Sequence, residues 1–187
     1  MIKINFIIII YSLFIFINQA QAKENIMILK LISGDVVIEL YEDIAPNHVE
    51  RFKKLANEKK YDGVVFHRVI EGFMAQTGDV QFGNSNLESF DLRKAGTGSS
   101  DYPNLKAEFS NGSHERGTLS MARSSDPDSA NSQFFICFIE APHLDRQYTI
   151  FGKVIKGMEF VDLIKRGIGS NGEVNDPDKI ISLALQN

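Results

Sequence analysis

Among the residues here that can do chemistry, the four histidines come first, and their spacing does not suit a metal. His48, His67, His114 and His143 stand far apart, and none forms an H-x-H or H-E-x-x-H pair, so a metal centre is not expected. The chain also lacks G-x-S-x-G, the turn that presents a nucleophilic serine, and Ser120 in TLSMA reads as an ordinary strand residue. Cys137, the single cysteine, lies in FFICFI and reads as a small packed hydrophobe; alone it can form no intrachain disulfide. Gly96-Thr97-Gly98 lacks the lysine and the following helix of a phosphate cradle. Asn111-Gly112-Ser113 matches a glycosylation acceptor, a triplet common by chance.

The more telling residue is an arginine. In VVFHRVIEGFMAQTGD, residues 64–79, Arg68 stands among Val64, Val65, Phe66, Val69, Ile70, Phe73 and Met74, with only Glu71 nearby as a countercharge. A guanidinium is costly to desolvate unless it is paired or hydrogen-bonded, so its place beside an apolar wall asks for a function. GTLSMARS and NSQFFI show the same mixture, with aromatic or Met residues beside Arg, Gln or Asn. One such motif reads as core packing with polar residues turned outward. Three in a small chain point instead to an apolar surface studded with a few specific polar groups.

These residues need a scaffold. IMILKLISGDVVIELY reads as a hairpin turning at Ser33-Gly34-Asp35. In EDIAPNHVERFKKLANEKKY, Pro46 near the start and Val49, Phe52, Leu55 and Ala56 at helical spacing predict an amphipathic helix. Tyr61 to Gln76 reads as strands broken at Gly63 and Gly72, and residues 80–106, rich in Gly, Ser and Asn, as a long surface loop. GTLSMAR, QFFICFIE, YTIFGKVI and IISLALQN predict further short strands. GMEFVDLIKRG predicts a second helix with Gly167 as its stop. Many short strands and two separated helices imply an antiparallel sheet or barrel with helices at its ends.

The N-terminus reads differently from the rest. Lys3, the apolar run Phe6 to Ile17 and the small-x-small ending Ala20-Gln21-Ala22 predict a secretory signal peptide over residues 1–22, cleaved after Ala22. The run is short for a spanning helix, which needs about 20 apolar residues. The expected mature domain is residues 23–187, periplasmic or secreted, with no stable membrane association after cleavage. The chain carries 20 basic and 24 acidic residues, net −4, and loss of Lys3 makes the mature balance more negative still. No basic patch for nucleic acid is expected.

FHRVIEGFMAQTGD, GTLSMARSSDPDSANSQFFI and LDRQYTIFGKVIKGMEFVD resemble, in order and spacing, the cyclophilin family of peptidyl-prolyl cis-trans isomerases, from about Ile26 to Leu185. The resemblance implies a mainly β fold: a closed eight-stranded antiparallel β-barrel capped by two α-helices. It implies isomerisation of X–Pro bonds in exported proteins during folding, with proline-containing segments of unfolded or folding proteins as partners. A monomer is expected, and the reaction needs no cofactor and no metal. Arg68 and Gln76 are the implied catalytic pair, Gln76 fixing Arg68 by a side-chain hydrogen bond. Phe73, Met74, Phe135 and Leu144 would line the proline pocket. Gln133 and the backbone at Ala122 and Arg123 would grip the substrate main chain. His67 is placed at the cleft rim, with a purely structural role as the other reading.

Three departures from the family pattern matter. The chain has no Trp and carries His143 where many members have one, which predicts weak cyclosporin binding with isomerase activity retained. Tyr148 stands where many members have a cleft-wall His, and Arg123 replaces a common Asn. The alternative function is a proline-peptide binding module or chaperone with negligible turnover, although a binder has no need of the Arg–Gln pair. A secreted hydrolase is the remaining rival.

Overall fold

The computed structural model describes residues 25–186, so the signal peptide expected over residues 1–22 lies outside the described residues. The predicted hairpin is formed by β1 (Ile26–Leu31) and β2 (Gly34–Leu40), paired in register from Ile26↔Glu39 to Leu31↔Gly34. Alternation decides which face is buried. Met27, Leu29 and Leu31 of β1 and Val36, Ile38 and Leu40 of β2 all point into the core, and Met27↔Ile38 and Leu29↔Val36 are direct cross-strand pairs.

Helix α1 (Pro46–Asn57) buries Val49, Phe52, Leu55 and Ala56, as their spacing predicts, together with His48. Its N-cap residue, Ala45, has no polar side chain to cap the helix. The carboxylate of Glu108, distant in sequence, instead accepts from the backbone N–H groups of Asn47 at 3.2 Å and His48 at 3.1 Å. A negative group there satisfies amides that have no partner within the helix and complements its dipole. Phe52 then sits between Tyr61, Phe134 and Phe151, with ring centroids 5.4, 5.1 and 5.1 Å away.

The remaining strands are β3 (Arg68–Ile70), β4 (Met74–Thr77), β5 (Thr118–Met121), β6 (Phe134–Cys137), β7 (Ile150–Lys156) and β8 (Ser182–Leu185). They join the hairpin in one antiparallel eight-stranded sheet of order β3-β4-β6-β5-β7-β2-β1-β8. The expected closed barrel is instead a curled half-barrel: β3 and β8 end the sheet and share no ladder, and its ends meet only through a seam of loop hydrogen bonds. The segment before β3 meets the segment before β8 through Gly63 N–H to Ile180 O, Phe66 N–H to Asp178 O and Ile180 N–H to Val64 O. Its one formal bridge is Val65↔Lys179.

Two expectations change in detail. The second helix, α2, is only Met158–Val161. Beyond it the chain tightens into i→i+3 bonds, from Leu163 N–H to Phe160 O and Ile164 N–H to Val161 O. Arg166 then donates to the carbonyl oxygens of Asp162 and Ile164, so the chain ends its helix before Gly167 can act as a stop. Residues 80–106 form no strand or helix, as predicted, but they are more than surface: Val80, Asn84 and Gly98 are buried.

Candidate active site

Arg68 opens β3 directly opposite Gln76 on β4, because the Gly72 turn sets the register Arg68↔Gln76. That turn needs a glycine, whose φ is +67°. Across the pair, Arg68 Nη1 donates to Gln76 Oε1 at 3.2 Å, while Nε donates to the Asn171 carbonyl at 3.0 Å. Gln76 Nε2 donates to Gln133 Oε1 at 3.1 Å, and Gln133 Nε2 donates in turn to the carbonyls of Gly96 and Gly98 at 3.0 and 2.8 Å. A relay of amides therefore runs from the loop to the guanidinium and fixes its rotamer. Among the described residues Nη2 of Arg68 has no protein acceptor, and no carboxylate pairs with this arginine. Burial lowers its pKa from the ordinary guanidinium value. Glu71, the countercharge suggested by sequence, is paired with Arg166 instead.

Beside this relay lies an apolar cluster separate from the main core: Met74, Phe135, Cys137, Ala141 and Leu144, with Ile70, Phe73, Ala122 and Tyr148 packed against it. It surrounds an open pocket of about 190 Å³ lined by Arg68, Phe73, Met74, Gln76, Ala122, Arg123, Phe135, Leu144 and Tyr148. Phe135 meets the edge of the Tyr148 ring with centroids 5.9 Å apart, and the Arg123 guanidinium lies 4.4 Å over that ring. Burying a five-membered apolar ring in such a slot contributes about 2 kcal/mol. Gln133 lines a second pocket of about 420 Å³, which shares Gln76, Ala122 and Arg123 with the first. Nine of the sequence-predicted residues thus meet in one pocket.

The other two predicted residues sit elsewhere. His143 stays outside the pocket, its ring 5.4 Å from that of Phe73. His67 is deeper than a rim position implies, only 7% exposed, with both ring nitrogens unpartnered. Burial pushes its pKa down to about 4 against the pull of the Asp79 carboxylate, so the ring is neutral at pH 7. It packs flush against Gly96, where an added Cβ would come within 2.8 Å of the imidazole.

Two groups were not legible in the sequence. The first is Asp79, fully buried, whose Oδ1 accepts from Gln81 and Phe82 N–H at 3.0 and 2.9 Å and whose Oδ2 accepts from Gly96 and Gly98 N–H at 2.7 and 2.8 Å. One carboxylate folds the loop back onto the cleft and presents the carbonyls that orient Gln133. The only sequence signal was an Asp after a glycine, ahead of a Gly-rich stretch. The second is a Ser–His–Asp arrangement. His114 Nδ1 lies 2.9 Å from Asp145 Oδ1, and Nε2 lies 3.0 Å from Ser120 Oγ. Its connectivity is that of a hydrolytic triad. Ser120, however, is fully buried and its Oγ also donates to the Thr149 carbonyl at 3.0 Å, so no substrate can reach it. The His114 ring stacks under Phe135 at 6.2 Å, which makes the trio a support for the pocket floor.

Among the described residues no cluster of His, Cys, Asp and Glu could hold a metal ion, and no helix is long and apolar enough to cross a membrane. The arrangement can therefore hold a small apolar ring, donate hydrogen bonds from a fixed guanidinium and bind an extended backbone.

Comparison with known proteins agrees. A family model described as cyclophilin type peptidyl-prolyl cis-trans isomerase matches residues 26–185. A probable peptidyl-prolyl cis-trans isomerase of Brucella suis is 57% identical over 169 residues, covering 90% of this chain and 86% of the relative. One from Acinetobacter baylyi is 38% identical over 181 residues, covering 90% and 89%. Among solved structures, a cyclophilin from Hirschia baltica superposes with a TM-score of 0.72 at 27% identity, over 87% of this chain and 74% of that one. A Cryptosporidium parvum cyclophilin crystallised in the presence of the dipeptide Ala-Pro gives 0.73 at 26% identity, over 87% and 99%.

Proposed function

The chain belongs to the cyclophilin-type peptidyl-prolyl cis-trans isomerases and accelerates rotation about X–Pro bonds; from that premise we propose that Arg68 is its catalytic donor and that its substrates are exported proteins caught during folding. The X–Pro bond rotates slowly because the nitrogen lone pair is shared with the carbonyl, a barrier of about 18–20 kcal/mol. Exchange without a catalyst takes roughly 10–100 s. No bond is cleaved and no proton leaves. The catalyst has only to favour the twisted state, in which the nitrogen becomes pyramidal and its lone pair can accept a hydrogen bond.

Arg68 supplies donors suited to that state. Its Nε and Nη1 are held by Asn171 and Gln76, its Nη2 has no acceptor among the described residues, and its charge is half buried beside the apolar pocket. Donors already oriented toward developing electron density act on the transition state rather than on the planar ground state. An acceleration of about 10⁵ requires roughly 7 kcal/mol. Phe73, Met74, Phe135 and Leu144 hold the proline ring, and Gln133 with the backbone at Ala122 and Arg123 holds the flanking chain. The Ala-Pro dipeptide used with the Cryptosporidium cyclophilin supports a proline-containing segment as the ligand here.

The observation that carries this reading is Arg68 Nη1 held by Gln76 on the wall of a pocket built to admit one apolar ring. Isomerisation of an X–Pro peptide by wild type and Arg68→Ala tests it. A fall in kcat of about 10²–10³, the usual cost of removing one preorganised donor, is expected. Equal rates for the two would leave only a proline-peptide binder. The leader expected over residues 1–22 supports a protein working outside the cytoplasm, without stable membrane association once cleaved, and we propose that it works as a monomer. N-terminal sequencing of the exported protein, starting at Lys23, checks that part.

A further inference from the structure

Among the described residues, Arg123 forms no ion pair with an acid. Its Nε and Nη2 donate to the Gln147 carbonyl at 3.3 and 3.0 Å, and Nη1 donates to the carbonyls of Ser124 and Ser125 at 2.8 and 3.4 Å. With the Tyr148 ring 4.4 Å beneath it, the guanidinium is held in place by carbonyl oxygens and a π-face, neither of which neutralises it. The nearest acids in sequence, Asp126 and Asp128, are exposed and each accepts a backbone N–H, from Asp128 and Ala107 respectively; neither forms an ion pair with Arg123. Arg68 likewise has no carboxylate partner among the described residues. Among the described residues, two guanidinium groups without a carboxylate hydrogen-bond partner therefore line the 190 Å³ proline pocket, and no carboxylate lines it. Arg123 also faces the adjoining 420 Å³ pocket, whose remaining lining includes Ser99, Ser129 and Asn131 and no acid. Glu173 is the backbone bridge partner of Arg68 and lines an adjoining cavity with it, but its carboxylate accepts from Asn171 Nδ2 and does not line the proline pocket.

We propose that this cleft selects X–Pro segments carrying an acidic residue within about three positions of the proline, with Arg123 as the specificity-determining residue that receives the carboxylate. The selection deepens the isomerase reading and rests on it. A fixed guanidinium loses little freedom when it meets a carboxylate, so the pair adds affinity where a mobile surface lysine would add almost none. The preference is local, because the chain as a whole is acidic, net −4, and does not attract anionic peptides at long range.

The test is protease-free, by NMR exchange on capped peptides that differ only in Glu, Gln or Lys at one position before or after the proline. In low salt the best Glu peptide should exceed its Gln partner in kcat/KM by roughly two- to fivefold, the effect of a partly exposed ion pair. The Lys peptide should fall below both. The gap should narrow as NaCl is raised. Arg123→Gln should bring the Glu-to-Gln ratio to unity, and Arg123→Lys should keep part of it, provided each variant melts as a folded protein. Equal rates for all three peptides at low salt would overturn acidic selection while leaving the isomerase intact. A Glu preference that survives in Arg123→Gln would overturn the assignment to this residue. Absence of exchange with every peptide would overturn the isomerase reading and this selection together.

Discussion

At the scale of single residues, the function turns on the difference between a charge and a directed fork. Arg68 spends Nε on a backbone carbonyl and Nη1 on Gln76, and still has Nη2 for a substrate. A lysine here would keep the charge but could not fill both structural bonds and also reach a twisted imide nitrogen. Arg68→Lys is therefore expected to lose most of the activity lost in Arg68→Ala, with the loss in kcat and little change in KM. Peptide exchange at saturating and at limiting substrate reads that split. A Lys variant with near-native kcat would mean that electrostatic field alone drives rotation. The arginine stood out in the sequence because a buried charge without a partner is costly. That Glu71 is paired with Arg166 instead required the three-dimensional arrangement, since the two lie far apart in the chain.

The elements were legible where local periodicity sets them and obscure where a single distant side chain does. The β1–β2 hairpin and α1 follow from alternation and helical spacing, because each buries one face against the same core. The end of α2 does not, because it is set by Arg166 reaching back to carbonyls, and a sequence pattern carries no sign of that. The loop after β4 is the extreme case. It has no periodicity, yet four backbone N–H groups converge on the Asp79 carboxylate and two of its carbonyls hold Gln133. Asp79→Asn replaces one of the two acceptor oxygens with a donor facing amide donors, and leaves two N–H groups unsatisfied. A loss of about 2–4 kcal/mol in stability is expected. Faster hydrogen exchange at Gly96 and Gly98 should accompany it, with an isomerase rate that falls although no substrate contact has changed. Unaltered exchange at those amides would show that the loop is held by something other than this residue.

At the scale of the whole molecule, three histidines are buried in different layers of the fold: His48 on the inner face of α1, His67 behind the cleft and His114 under the pocket floor. Burial lowers the pKa of each. Desolvation is the largest cause for each; Glu108, Asp79 and Asp145 pull the values of His48, His67 and His114 back up without overcoming it, while Arg51, Arg68 and His143 add to the lowering. A group whose folded pKa lies below its unfolded value binds protons more readily when unfolded. Stability is then fully present above the unfolded value of 6.5 and declines as pH falls toward the folded one. For His67, with a folded value of about 4, the loss approaches about 3 kcal/mol near that pH. Glu108 and Asp145, with pKa values held below 4.5 and 3.8, add their own loss only at lower pH, so the window from 6.5 to 4.5 belongs to the histidines. Urea midpoints measured across that window should fall steadily for wild type, and His67→Gln should reduce the slope whatever it does to the midpoint at pH 7. An unchanged slope would mean that the imidazole keeps its ordinary pKa, and hence that water reaches the space behind Arg68. The cleft would then be wetter than a guanidinium acting in a partly desolvated site requires.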